Sequence, residues 1–112
     1  LPRQMPIKLA TELVLTGDIY EASRLAAAGL VNRVVPQGEA LNAAMEIART
    51  IAANGPLAVA ASRKVLNESR EWPEAEMFER QFKVTAPVFQ SEDAREGATA
   101  FAEKRAPVWK GR

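Results

Sequence analysis

Residues Ser91–Arg112 read SEDAREGATAFAEKRAPVWKGR. The stretch reads as one amphipathic helix with a short tail. Ser91 suits the N-cap, and Glu92 and Asp93 place negative charge in the first turn, where the helix dipole favours it. Ala94, Gly97, Ala98, Phe101 and Ala102 recur at three- and four-residue spacing and so share one face. That face is mostly small side chains, which lets another helix approach closely, with Phe101 as its one large anchor. Lys104 and Arg105 are expected to close the last turn, where positive charge suits the carbonyl end. Pro107 then stops the helix. Trp109 is expected to pack its ring back on the body or on a neighbour.

Working outward, the rest of the chain has the same helical grain. Ile7, Ala10, Leu13 and Val14 share a face over Pro6–Leu15, and Gly17 suits the position just past that helix. Glu21–Ala28 is a second, short helix turning Ala22, Leu25 and Ala26 inward, ended by Gly29. LVNRVVP, residues 30–36, is β-prone and predicts either a single strand or an extended connector. Gly38–Ala53 carries Leu41, Ala44, Met45, Ala48, Ile51 and Ala52 at i, i+3, i+4 and i+7 spacing, the clearest helical pattern in the chain. Asn54-Gly55-Pro56 stops it. Leu57 to about Arg70 is a further helix, and Trp72-Pro73 breaks it. Glu74 to about Thr85 carries Met77, Phe78 and Phe82 at helical spacing, and Pro87 is expected to kink or restart that helix. The fold class read from this pattern is mainly α, an Ala-rich array of about six helices.

Composition excludes several chemistries. The chain has 112 residues, enough for one small domain, with 15 Lys plus Arg against 14 Asp plus Glu. That balance leaves no electrostatic footprint for nucleic acid or an anionic membrane, and no Lys/Arg-rich recognition helix supports a helix-turn-helix reading. There is no Cys and no His. Disulfides, thiol catalysis, Ser–His arrangements and the commonest metal ligand are therefore absent, and no metal site is expected. No apolar run approaches the ~20 residues of a membrane-spanning helix, so a cytoplasmic protein is the expectation. The chain opens on Leu1 rather than Met, with a loop-like start at Pro2 and Pro6. That opening suggests a fragment, a processed product or a trimmed polypeptide.

Most residues that could carry chemistry have a plainer reading. Glu74, Glu76 and Glu79 read as a solvated helix face rather than paired acids. Lys8 and Lys64 read as surface charges. Met77, Phe78 and Phe82 read as core rather than a ligand pocket. Gly55 and Gly97 read as a helix stop and a close-packing position, since no Gly-rich phosphate signature is present. Asp18 reads as a turn residue capping the start of the second helix. Phe101 and Lys104, three residues apart, read first as a core ring and a dipole-complementing cation. A ring beside a cation can also stack a flat aromatic base and meet a phosphate.

SEDAREGATAFAEKRAPVWKGR resembles the C-terminal signature of the enoyl-CoA hydratase/isomerase family, the crotonases. In that family a Ser-Glu-Asp-x-Arg-Glu-Gly run opens the last long helix and a Phe-x-Glu-Lys-Arg run ends it. LPRQMPIKLATELVLTGD is similar to the family's segment after its catalytic loops. Glu21, Ala22, Gly29, Leu30, Val31, Asn32, Val34, Val35 and Pro36 match a further family element, and IAANGPLAVAASRKVLN the helix pair after it. One departure is Tyr20, where relatives usually place Ser or Thr as an N-cap, which weakens that cap.

The resemblance implies that this chain is the C-terminal helical region of the α/β crotonase fold, the ClpP/crotonase-like ββα spiral. Residues 1–36 would be the end of the spiral core and 37–112 a helical oligomerisation region. It implies a parent enzyme that adds water across a 2-enoyl-CoA double bond in fatty-acid metabolism and assembles as a trimer or hexamer. In the family, the two catalytic glutamates and the oxyanion-hole amides lie upstream of the position matched by Leu1. No residue here receives a catalytic role, and this stretch is expected to be inactive alone. Phe101 and Lys104 match the residues that in several relatives reach the adenosine and 3′-phosphate end of CoA, often across a subunit interface. Acyl-CoA enters as substrate, and no cofactor is implied. The expected partners are further copies of the chain or an N-terminal companion polypeptide. The competing reading, from a different class, is a stand-alone helical protein-interaction module without catalysis. On either reading, isolated helices of this kind should leave apolar surface uncovered.

Overall fold

The computed structural model describes residues 1–112. Six α-helices follow one another: α1 Ile7–Thr16, α2 Ala22–Ala27, α3 Ala40–Ala52, α4 Pro56–Glu68, α5 Met77–Phe89 and α6 Glu92–Ala102. Two 3₁₀ turns, Ser69–Glu71 and Glu74–Glu76, join α4 to α5. There is no strand. Of the two forms expected for the β-prone run 30–36, the chain takes the connector, with bends at 30–32 and no strand over 33–36, consistent with the lack of a second strand to pair with. The chain divides into two compact units, Leu1–Ile47 and Ala48–Arg112.

In the first unit, Met5 and Ala10 are buried and Leu13 is half-buried. Gly17 follows α1 at φ 69°, a left-handed conformation that costs glycine nothing. The α1–α2 connection is held by one carboxylate. Glu12 Oε1 accepts from the Tyr20 hydroxyl at 2.8 Å and from Arg24 Nη2 at 3.1 Å. The Arg24 guanidinium also sits 4.4 Å from the Tyr20 ring centre. The Tyr20 hydroxyl bond, and then Arg24, hold the Glu12 carboxyl below its ordinary range.

Two expectations for this region are corrected. Asp18 does not cap α2: Glu21 occupies the N-cap without a side-chain bond, and the Asp18 amide instead donates to Thr16 Oγ1 at 3.3 Å. Tyr20 is likewise not at the cap, and its hydroxyl ties the connecting segment to α1.

In the second unit, Pro56 starts α4 after Gly55, where its missing N–H costs nothing. Trp72 is extended at φ −84°, ψ 138°, as a residue before proline should be. α4 packs on α5 and α5 on α6. Pro87 neither restarts nor ends α5, which runs on to Phe89. The bond forfeited is the one to the carbonyl of Lys83, an exposed residue. The break comes at Gln90–Ser91, where Ser91 opens α6.

The expected apolar faces are largely open. On α3, Leu41, Met45 and Ile51 are exposed, while Ala43 and Ile47 are half-buried. On α5, Phe78 and Phe82 are 82% and 67% exposed rather than core, and Phe89 is exposed with them. On α1, Ile7 and Val14 face solvent. Helical periodicity correctly marks these as apolar faces, but it carries no information on what covers them. The expectation of uncovered apolar surface is met.

Candidate functional site at the end of α6

α6 begins as its sequence dictates. Ser91, at φ −72° and ψ 161°, accepts from the Ala94 amide on Oγ at 3.0 Å and donates that hydroxyl to the Val88 carbonyl at 2.6 Å. The buried ridge of the helix is not the one expected. Asp93 and Ala100 are buried and Gly97 half-buried, while Ala98, Phe101 and Ala102 are exposed. Phe101, expected as the anchor of the packed face, is 88% exposed.

The tail explains the difference. Residues 107–112 fold back along α6 and cover the Asp93–Gly97 side. Trp109 packs as expected, its Nε1 donating to the Ala53 carbonyl at 2.8 Å. Its ring lies over Gly97, where a Cβ would meet Cη2 at 3.2 Å, and over Gly55. The buried Asp93 carboxylate accepts from the Lys110 amide at 2.7 Å and the Gly111 amide at 2.9 Å, and the Asp93 amide donates to the Arg112 carbonyl at 3.1 Å. Sequence reading gave Asp93 only a dipole role and missed this clasp. Glu92 receives Lys110 Nζ at 3.0 Å and Arg112 Nε at 3.5 Å. The Lys110 bond first, then the Arg112 charge, lower the Glu92 carboxyl from its ordinary range.

α6 ends at Ala102, earlier than expected. Lys104 sits past the end at φ 55°, and every other left-handed residue is a glycine. The Lys104 amide donates to the Phe101 carbonyl at 3.2 Å and the Arg105 amide to the Ala100 carbonyl at 3.0 Å, the paired bonds of a Schellman end. Lys104 thus stands where helices usually place glycine. Arg105 does not lie on the last turn but forks onto Glu96, with Nη1 to Oε1 at 2.6 Å and Nη2 to Oε2 at 3.0 Å. Its Nε donates to Glu103 at 2.6 Å. Glu96 Oε1 also accepts the Val108 amide at 2.8 Å. The Arg105 fork, and then the Val108 amide, hold the Glu96 carboxyl down at about 2. Glu96 first, then Glu103, raise the Arg105 guanidinium further above its ordinary value.

The arrangement leaves Phe101 and Lys104 one turn apart at an exposed helix end. It offers an exposed apolar ring and an exposed cation, and no general acid or base. The glutamates near α5 offer none either. Glu76 pairs with Arg80 at 2.7 Å and Glu79 with Lys83 at 2.6 Å, solvated i, i+4 pairs. The Lys83 bond lowers the Glu79 carboxyl, the opposite of what a proton donor needs. No group of three Asp or Glu residues is placed to hold a metal ion.

The enoyl-CoA hydratase/isomerase family model matches residues 1–112. The chain belongs to the enoyl-CoA hydratase/isomerase family. It is 46% identical, over all of its length and 42% of the relative's, to an enoyl-CoA hydratase of Mycobacterium tuberculosis. It is 41% identical, over all of its length and 44% of the relative's, to a carnitinyl-CoA dehydratase of Salmonella typhi. A crystal structure of an enoyl-CoA hydratase from Mycobacterium tuberculosis H37Rv superimposes with a TM-score of 0.97 at 50% identity, covering all of this chain and 44% of that one. One from Mycobacterium marinum gives 0.96 at 50% identity, with the same coverage. The chain therefore spans less than half the length of the crotonases it matches, and its helices are the helical portion of that fold.

Proposed function

We propose that this chain is the C-terminal helical part of an enzyme that hydrates 2-enoyl-CoA thioesters in fatty-acid metabolism. What carries the reading is a family match over the whole chain, with relatives named as enoyl-CoA hydratases and a carnitinyl-CoA dehydratase. Catalysis is assigned to the remainder of the enzyme, and the stretch 1–112 is inactive alone. Residues 1–36 end the spiral core and 37–112 form the oligomerisation region. The exposed apolar residues of α3 and α5 support that division of labour, because large rings left in water favour a covering partner. The partners are further copies, as a trimer or hexamer, or an N-terminal companion polypeptide, and the enzyme is cytoplasmic. No helix is long and apolar enough to cross a membrane.

Phe101 and Lys104 form part of the CoA site. The exposed ring suits the adenine face, and the cation on its left-handed turn suits the 3′-phosphate. The test is hydration of crotonyl-CoA by the whole enzyme and by residues 1–112 alone, with native mass spectrometry alongside. Turnover by the whole enzyme and none by the isolated chain is expected. An enzyme-like rate from the isolated chain would overturn the reading.

A further inference from the structure

Lys104 is the one non-glycine residue in a left-handed conformation. At the end of α1 the comparable position is a glycine, Gly17. A lysine held there is strained, and strain of this kind persists only where its surroundings enforce it. The enforcing contacts are on both sides. Upstream, the Lys104 amide is bonded to the Phe101 carbonyl. Downstream, Arg105 is fixed by the hydrogen bond its amide donates to the Ala100 carbonyl, by its fork onto Glu96 and by Nε to Glu103. Glu96 also holds the Val108 amide, so one carboxylate grips the turn and the start of the tail together.

The charges are arranged with equal economy. Arg105 is neutralised by Glu96 and Glu103, while Lys110 and Arg112 both meet Glu92. Among the cations from 104 onward, Lys104 alone makes no hydrogen bond or ion pair with its side chain. Its backbone is pinned and its ammonium is left for something else. We infer that Glu96 is the positioning residue of the Phe101–Lys104 pair: through Arg105 and the Val108 amide it maintains the left-handed turn that presents the lysine ammonium, beside the exposed ring, to an anionic ligand. This rests on the reading that the pair meets the CoA tail.

The experiment uses the whole enzyme and measures binding of CoA and of 3′-dephospho-CoA, taking the ratio of the two affinities. In the parent enzyme the ratio is expected to be about tenfold, the size of one charge-assisted contact. Lys104→Ala should abolish it. Glu96→Gln should cut it about threefold, with kcat at saturating substrate unchanged. Arg105→Lys, which keeps the charge and loses the fork, should do the same and decides the matter if Glu96→Gln folds poorly. A purely structural Glu96 would lower Tm and leave the ratio alone. If Lys104→Ala removes the ratio while Glu96→Gln and Arg105→Lys leave it intact, the positioning role falls and the ligand site stands. If Lys104→Ala leaves the ratio intact, both fall. Lys104→Gly gives an independent check: relief of strain should raise Tm while the ratio is lost.

Discussion

Asp93→Asn is the substitution that tests the tail clasp most directly. Asp93 is 4% exposed, and its two oxygens accept the amides of Lys110 and Gly111 at 2.7 and 2.9 Å. The asparagine side chain has nearly the same shape, but one oxygen becomes an NH₂ donor that must face a backbone N–H. One bond to a charged acceptor is lost and a donor is left unpaired, together about 2 kcal/mol. The loss has a ceiling. If the tail detaches, both amides find water, and the cost becomes that of undocking residues 107–112. That cost is dominated by the half-buried Trp109 ring and its bond to Ala53, on the order of 2–3 kcal/mol. Asp93→Ala should reach that ceiling, and Asp93→Asn should come just below it. Urea denaturation of the enzyme gives the stability change. Amide exchange at Lys110 and Gly111 shows whether the tail is the part that opens. A cost below about 0.5 kcal/mol for Asp93→Asn, with protection of those two amides unchanged, would refute the clasp.

Gly97→Ala sets two effects against each other. Alanine favours a helix interior by about 1 kcal/mol, but its Cβ would stand 3.2 Å from Trp109 Cη2, and displacing the packed ring costs about 1–3 kcal/mol. A net destabilisation of about 1 kcal/mol with a shifted tryptophan emission is expected, and a gain in Tm would show that the ring moves freely. Acid should release the end of α6 late. The Glu96 carboxyl is depressed from 4.5 to about 2, so its contribution is fully present above the unfolded value and is lost as pH falls from there through about 2. Tryptophan fluorescence followed from pH 5 downward should therefore show tail release chiefly below pH 4. Glu96→Gln should remove that acid limb, and an unchanged limb would place the transition elsewhere.

The helices and their punctuation were legible because local chemistry writes them. Ser91 caps α6, Gly17 turns left-handed after α1, Pro56 starts α4, and Trp72-Pro73 separates α4 from α5. Trp109 was legible as a packing residue because so large a ring is seldom left free, although its acceptor, the Ala53 carbonyl, lies 56 residues away and no local pattern names it. What failed was any statement needing the covering partner. The faces of α3 and α5 have the right period and the wrong neighbours. Local spacing puts Phe101 inside because the tail that covers the other side of α6 returns through contacts of 17 and 18 residues' separation. Asp93 reads locally as a dipole charge for the same reason, since its partners are backbone amides in the tail, and nothing local marks Glu96 as the acceptor of Arg105 and the Val108 amide. A lysine at 104 looks ordinary on a last helical turn, and a left-handed lysine has no sequence signature.

Those misses share a physical origin, and it bears on how the site works. α6 treats its two ends differently. At its N-terminus, Glu92 and Asp93 spend their charge on residues 110–112, while near its C-terminus Glu96 reaches Arg105 and the Val108 amide. The tail is thus held at both ends by acids of the same helix, and the left-handed turn carrying Lys104 lies upstream of that held segment. Glu96 takes part in holding both the tail and that turn, whereas Asp93 holds only the tail. A change that frees the tail from Asp93 alone should leave the Arg105 fork intact. A change at Glu96 should loosen both, so the two acids can be told apart by measuring ligand discrimination alongside stability.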